Sequence, residues 1–290
     1  MIFFHGKRFE FMAFRRIAIG ISLALVLGSL FLVVFKGLNL GIDYTGGTLL
    51  QVEFPAPVGI QEVRETLASV GQEQSVIQAY SERGVIIRLK AGEETIGQQA
   101  RDALRQKFGD IQVLRLEKVG PVVGKELTRG AIIALLLSLV GILLYVSVRF
   151  QFRFAAVSVI ALAHDAIIVT GAFALTGREV SLTYVAAILT IVGYSINDTI
   201  VVLDRVRENW GKLRQIGIEK LLDDSVNQTL SRTINTSLTT MLPVLALFFL
   251  GGPVIADFSF AMLVGLMVGT YSSVFIAAAL LCEWYKRSPR

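Results

Sequence analysis

Six apolar runs, at roughly 17–35, 131–148, 155–175, 182–203, 238–256 and 259–281, constrain this chain more than any other feature. Each is close to the ~20 residues a helix needs to cross the ~30 Å hydrocarbon core of a bilayer. Water cannot satisfy backbone N–H and C=O groups there, so such a run closes its hydrogen bonds within itself. Only 18% of the residues are charged, against about 25% in a soluble domain, and the charges cluster between the runs. The sequence therefore predicts a polytopic α-helical membrane protein with six transmembrane helices. The first run, Ile17 to Phe35, exceeds the apolar core of about 7–15 residues in a cleavable signal and has no A-x-A-like site after it, so it reads as a retained anchor.

Orientation follows from Lys and Arg in short connections. Lys7, Arg8, Arg15 and Arg16 precede the first run, and Arg149 and Arg153 lie between the second and third. Arg205, Arg207, Lys212, Arg214, Lys220 and Arg232 lie between the fourth and fifth, and Lys286, Arg287 and Arg290 end the chain. The third connection has only Arg178, and the last has no Lys or Arg. Both termini are expected to be cytoplasmic, with the stretch between the first two helices facing outward. The formal charge of +5 is mostly this topological bias and not a nucleic-acid footprint.

The expected division is a cytoplasmic N-terminus at 1–16, helix 1 at 17–35, an extracytoplasmic domain at 36–126 and helices 2–4 at 127–203. A cytoplasmic amphipathic connection at 204–235, helices 5–6 at 236–282 and a cytoplasmic tail at 283–290 follow. The opening Met1–Phe4 carries no signal. Within the inserted domain, Gly47–Phe54 alternates like a strand. Ile60–Val70 has apolar residues at Ile60, Val63, Leu67 and Val70, a helical period. Ser75–Tyr80 and Gly84–Lys90 read as a hairpin around Ser81, Glu82 and Arg83. Thr95–Phe108 is a second amphipathic helix, with Ile96, Ala100, Ala103, Leu104 and Phe108 inward, and Gln112–Glu117 is a last strand. The order βαββαβ predicts an α+β, ferredoxin-like domain.

Cys282 is the sole cysteine and His5 and His164 are the only imidazoles, so no disulfide framework and no structural zinc site are expected. Gly120–Glu126 (GPVVGKE) is not a phosphate-binding loop. Three residues separate its glycines instead of four, and Glu126 follows Lys125 where Ser or Thr would reach magnesium. No cofactor is expected. The glycines of Gly41–Gly47 permit positive φ or close backbone approach, and this stretch reads as a structural turn where the domain meets the membrane surface.

The informative residues are polar groups inside apolar runs. A charge at the centre of a membrane helix costs about 2.5–3.5 kcal/mol on insertion scales, so such a group usually faces protein or water and marks function. Asp198 lies inside helix 4, in the stretch Gly193-Tyr194-Ser195-Ile196-Asn197-Asp198-Thr199. Tyr194 shares its face, four residues away. Arg232, where helix 5 begins, is the expected partner, and Thr229, Thr233, Thr236 and Thr240 make a polar stripe beyond it. A carboxylate can take and release a proton whereas Arg cannot. Asp198 is then the titrating group and Arg232 the fixed charge, with Asn197, Tyr194, Thr233 and Thr236 as accessory polar groups. The bland alternative is a fixed ion pair that locks packing. His164 and Asp165, in helix 3, are a second candidate; helix–helix hydrogen bonding explains His164, while Asp165 stands evenly between packing and function. Gly265 and Gly269 form a GxxxG in helix 6, above Ser272 and Ser273, which favours close packing. Pro243 predicts a kink in helix 5, and Asp204–Leu222 reads as an amphipathic helix lying along the interface.

With these residues in view, the chain resembles the SecD–SecF family of protein-export membrane proteins, related to the resistance-nodulation-division transporters. The matching stretches are GIDYTGGTLLQV at 41–52, VGPVVGKEL at 119–127, AHDAII at 163–168, GYSINDTIVVLDRVREN at 193–209 and SRTINTSLTT at 231–240. The resemblance implies a bacterial inner-membrane subunit that is not an enzyme. It would use the proton-motive force, without ATP, to promote late steps of preprotein export. It also implies that the intramembrane carboxylate and arginine fall on Asp198 and Arg232. Implied partners are a SecD-type subunit, the SecYEG channel, YajC, the translocating preprotein and membrane lipid. A proton-coupled exporter of small solutes or lipids, and a passive scaffold for the channel, are the alternatives.

Overall fold

A computed structural model describes residues 8–89 and 95–287. Met1–Phe4, His5, Lys7, Lys90 and Arg290, named above, lie outside the described residues. The elements in chain order are α1 (Arg15–Phe35), β1 (Asn39–Leu40), α2 (Ile42–Thr45), β2 (Gly47–Glu53), α3 (Ile60–Ala68), β3 (Val76–Ala79), β4 (Gly84–Leu89), α4 (Ile96–Phe108) and β5 (Gln112–Val119). Then come α5 (Pro121–Arg149), α6 (Phe152–Thr176), β6 (Glu179–Val180), α7 (Leu182–Asn209), α8 (Leu213–Leu250), α9 (Pro253–Tyr271), a π-helical stretch Ser272–Ala277 and α10 (Ala278–Arg287). They form two compact units, one of Leu40–Ile132 and one of the residues before and after it.

In the Leu40–Ile132 unit, four strands form an antiparallel sheet in the order β3-β4-β2-β5. β2 is central, pairing Leu50 with Ile87 on one side and with Leu116 on the other, and its register with β5 shifts at Gln51/Val52. The two amphipathic helices cover the sheet because their apolar spacing gives each one face to bury. Leu50, Val52, Ile87 and Leu89 pack with Val63 and Leu67 of α3 and Ala100 and Leu104 of α4. Phe54 meets Phe108 edge to face at 5.0 Å. Ile60, expected inward, is 40% exposed, because it opens α3 ahead of the turn that packs.

The glycine-rich stretch 41–47 forms the single turn α2 and leaves it through Gly46 at φ 70° and Gly47 at φ 129°. Side chains other than hydrogen are strained there. The Tyr44 carbonyl then lies against Gly124 in the first turns of α5; a β-carbon on Gly124 would stand 3.1 Å from it and 3.3 Å from the Asp43 carbonyl. The two sequence motifs 41–52 and 119–127 are thus one packed junction.

The second unit is helical. Among the described residues, five helical stretches are long and apolar enough to cross a bilayer: Phe11–Phe35, Val122–Arg149, Phe152–Thr176, Leu182–Leu250 and Val254–Arg287. The fourth runs through both α7 and α8 and contains the apolar run at 182–203 and most of that at 238–256. Leu136, Leu137, Leu144 and Val148 of α5 are more than half exposed, as are Phe31, Val34 and Phe35 of α1. Apolar faces of that extent suit lipid and not water, and the chain is a multi-pass membrane protein. α6 and α7 carry the buried core. α1 approaches α6 closely because Gly171 leaves room for Ser29.

The segment Asp204–Leu222 differs from its expectation. α7 continues to Asn209, a short 3-10 turn follows, and α8 runs from Leu213, breaking helical geometry at Gly217 (φ 78°, ψ 165°) and not at Pro243. Its apolar residues do not form a separate lipid-facing stripe. Leu221 and Leu222 are fully buried with Phe11, Met12, Phe154, Val206 and Leu281. Burying them against protein satisfies the same apolar face that suggested an interfacial helix. The N-terminal residues are strapped across this cluster: Asn227 bonds both the backbone N–H and C=O of Phe9, at 2.9 and 2.8 Å, and Asp223 accepts from the N–H of Met12 at 2.8 Å. Arg15 bridges Glu219 and Glu283, each at 2.8 Å, and Lys286 joins Glu219.

Candidate functional site

α7, α8 and α9 meet along the seam that carries the polar residues. Asn209 of α7 donates to Ser225 at 3.0 Å and to Gln228 at 3.1 Å on α8, while the Tyr194 hydroxyl lies 3.5 Å from Ser237. Moving back along α7 moves forward along α8, so the helices are antiparallel. One helical turn from the Tyr194–Ser237 contact, Asp198 and Thr233 therefore share a level. The seam extends to α9 through Ser237 and Thr270, whose hydroxyls are 2.6 Å apart.

Asp198 is buried, with 3% of its surface exposed, and its Oδ2 has no hydrogen-bond partner among the described residues. The buried hydroxyls of Thr199 and Thr233 are likewise unpartnered there. A buried polar atom without a partner costs about 1–3 kcal/mol, more when charged, so packing alone does not account for Asp198. Arg232 is exposed, and among the described residues no ion pair within 4.0 Å joins it to Asp198; its charge acts on Asp198 from farther away. The expected direct pair is thus not formed. Thr233 occupies the inward position of α8, and Arg232, one residue earlier on the helix, turns to the outer side of the seam.

The threonine stripe is mostly self-satisfied. Thr229, Thr236 and Thr240 donate to carbonyls one turn back on α8, at 3.1, 2.9 and 2.9 Å. This is the local bonding typical of helical Thr, and it leaves Thr233 and Ser237 to face the neighbouring helices. Asn197 is exposed, and Tyr194 is half-buried.

Asp165 has no exposed surface. Its Oδ2 accepts from Ser195 of α7 at 2.6 Å and from Ser272, the first residue of the π-helical stretch, at 2.8 Å; its Oδ1 lies 2.9 Å from Nδ1 of His164. Gly265 and Gly269 let α9 press on α7. A β-carbon on Gly265 would run into Ile191, and one on Gly269 would stand 3.1 Å from the Ser195 hydroxyl. Ser195, Thr199 and Ser272 are not site candidates by sequence alone. The readable signal for Ser195 and Thr199 was their spacing of three and one from Asp198; nothing local marks Ser272, which is 107 residues from Asp165. No cluster of three or more His, Cys, Asp or Glu suited to a metal occurs among the described residues.

Residues 99–287 match the family model described as protein export membrane protein SecD/SecF, C-terminal, and residues 31–58 match the SecD/SecF GG motif. The chain is 46% identical to the protein translocase subunit SecF of Haemophilus influenzae over 93% of its own length and 84% of that protein. It is also 46% identical to the SecF of Vibrio alginolyticus, over 94% and 89%. These relatives are named as translocase subunits and not as enzymes. Among solved structures it matches SecDF of Thermus thermophilus, described as a translocon-associated membrane protein, with a TM-score of 0.92 at 42% identity; the match covers 99% of this chain but 40% of that one. A SecDF structure described as a super-membrane-facing form matches at 0.75 and 41% identity. The 41–47 turn, the α5 junction and the α7–α8 seam fall inside the matched segments, and the chain belongs to the SecD/SecF family of protein export membrane proteins.

Proposed function

We propose that this chain works with a SecD-type subunit in the bacterial plasma membrane to drive late steps of preprotein export with the proton-motive force. Asp198 takes up and releases the proton, and Arg232 supplies a fixed positive charge nearby. The observation that carries this reading is Asp198 itself: a carboxyl buried between membrane helices, with one oxygen unpartnered among the described residues, as are the buried hydroxyls of Thr199 and Thr233. The missing direct contact with Arg232 weighs against a static ion-pair lock. Moving one charge through 100 mV is worth about 2.3 kcal/mol, enough to bias a two-state element, and repeated cycles could perform work on a chain segment. α7 and α8 would supply two spans, giving six in all. The βαββαβ order and the β3-β4-β2-β5 sheet support a ferredoxin-like extracytoplasmic domain, and the Lys and Arg distribution supports cytoplasmic termini. That the chain spans 40% of the solved SecDF supports a SecD-type partner for the remainder. SecYEG, YajC, preprotein and lipid are the further contacts of this reading.

The test is export into inverted vesicles carrying the full complex, with and without a proton gradient. Asp198→Asn should remove the gradient-dependent component and leave ATP-driven export intact. Full gradient stimulation in that variant would overturn the reading.

A further inference from the structure

Asp165 and Asp198 are two intramembrane carboxyls with opposite surroundings. Asp165 has a partner for each oxygen, drawn from its own helix, α7 and the π-helical stretch; Asp198 has an oxygen without one among the described residues. We propose that Asp165 is a positioning residue for Asp198: by holding Ser195 it fixes where α7 carries the working carboxyl. This rests on the proton-coupling reading given above for Asp198.

Ser195 and Asp198 are three residues apart on one helix, so they lie on the same side, and a shift of Ser195 is carried rigidly to Asp198. The 2.6 Å Ser195 contact is at the short end of the range for O–H···O hydrogen bonds. Ser272 adds a second hydroxyl to the same oxygen at 2.8 Å, nearer than its alternative acceptor, the Gly269 carbonyl, at 3.1 Å. The anchor thus ties α7 to the π-helical segment Ser272–Ala277, a geometry concentrated at functional sites. Gly269 removes the side chain that would otherwise separate the partners, leaving Ser195 3.1 Å and Asp165 3.6 Å from where its β-carbon would stand. His164 completes the hub through Nδ1, and its buried Nε2 is unpartnered among the described residues. Asn at position 165 reproduces this geometry. Its carbonyl oxygen accepts from both serines and its amide donates to His164 once the imidazole carries its proton on Nε2. Ala reproduces none of it.

The experiment uses the full chain in complex with its SecD-type partner, with Cys282→Ser and Asp198→Cys as the parent for maleimide labelling. Asp165→Ala should change the labelling rate at position 198 about tenfold, whereas Asp165→Asn should stay within about threefold of the parent, since sub-ångström support of a site is what such an anchor provides. In chains retaining Asp198, gradient-driven export should fall with Asp165→Ala and be rescued by Asp165→Asn. Ser195→Ala removes one bond and keeps the carboxyl; it should shift labelling in the same direction and decides the matter if Asp165→Ala does not assemble. Unchanged labelling in both Asp165→Ala and Ser195→Ala overturns the proposal, as does an Asp165→Asn variant as impaired as Asp165→Ala, which would make the charge of Asp165 the active property. Gradient-driven export by Asp198→Asn would instead remove the proton-coupling reading, while labelling still reports whether Asp165 positions α7.

Discussion

Replacing Gly124 with Ala should loosen the Leu40–Ile132 unit, and Gly130 on the same helix provides the control. A β-carbon at Gly124 would stand 3.1 Å from the Tyr44 carbonyl oxygen, 3.3 Å from that of Asp43 and 3.4 Å from the Tyr44 carbonyl carbon. These are backbone atoms, pinned by the turn α2, in which the Gly46 N–H bonds the Ile42 carbonyl at 2.9 Å, so they cannot swing aside as a side-chain tip would. Overpacking of this kind costs about 1–3 kcal/mol. Ala gains about 1 kcal/mol over Gly in helix propensity, but nothing lies within 4 Å of a β-carbon at Gly130, so Gly130→Ala receives that gain without the clash. The two variants should therefore differ by about 2 kcal/mol, roughly 30-fold in the opening equilibrium. Hydrogen exchange of the β2 amides in the full-length protein reads this directly: faster with Gly124→Ala, unchanged or slower with Gly130→Ala. Equal exchange in the two variants would refute the claim that 41–47 and the start of α5 are one packed junction.

Two further outcomes follow from the helical unit. Gly217 sits at φ 78°, ψ 165°, a region open essentially to Gly alone, where an L side chain costs about 1–3 kcal/mol, so Gly217→Ala should lower the melting temperature while Gly211→Ala, with open space and no positive φ, should not; fluorescence-detected unfolding in detergent distinguishes them. Arg178 pairs with Asp257 at 2.6 Å and lies over the Phe260 ring at 4.5 Å. Arg178→Ala should lower the melting temperature by about 2–4 °C for each kcal/mol lost and exceed the effect of Asp257→Asn, which leaves the cation–π contact in place; equal losses would assign the whole effect to the ion pair.

Much of this was readable from residue patterns because the physical causes are local. The apolar runs, the amphipathic spacing of α3 and α4 and the hairpin at Ser81–Arg83 are set within a few residues. Asp198 stood out because burial cost needs no knowledge of neighbours. What escaped depends on distant groups. Asp165 reads as an even case until Ser195 and Ser272, from two other helices, fill its lone pairs. Arg232 looks like a partner by proximity in topology, yet its angular position on α8 beside the inward Thr233 turns it outward. Leu221 and Leu222 suggest a lipid-facing stripe, because sequence cannot tell apolar protein from apolar solvent, and the residues that cover them include Phe11 and Met12 from the other end of the chain. The Asn227–Phe9 strap has no local signature at all.

If the Asp198 carboxyl exchanges a proton during work, as proposed, its protonation state changes with the gradient. The most direct measurement is difference infrared spectroscopy of the membrane-embedded complex as a proton gradient is imposed and collapsed, with the carboxylic acid C=O band assigned by its loss in Asp198→Asn. The expected spectrum has a band that rises and falls with the gradient and is missing in that variant. A spectrum in which the Asp198 carboxyl holds one protonation state throughout would contradict it.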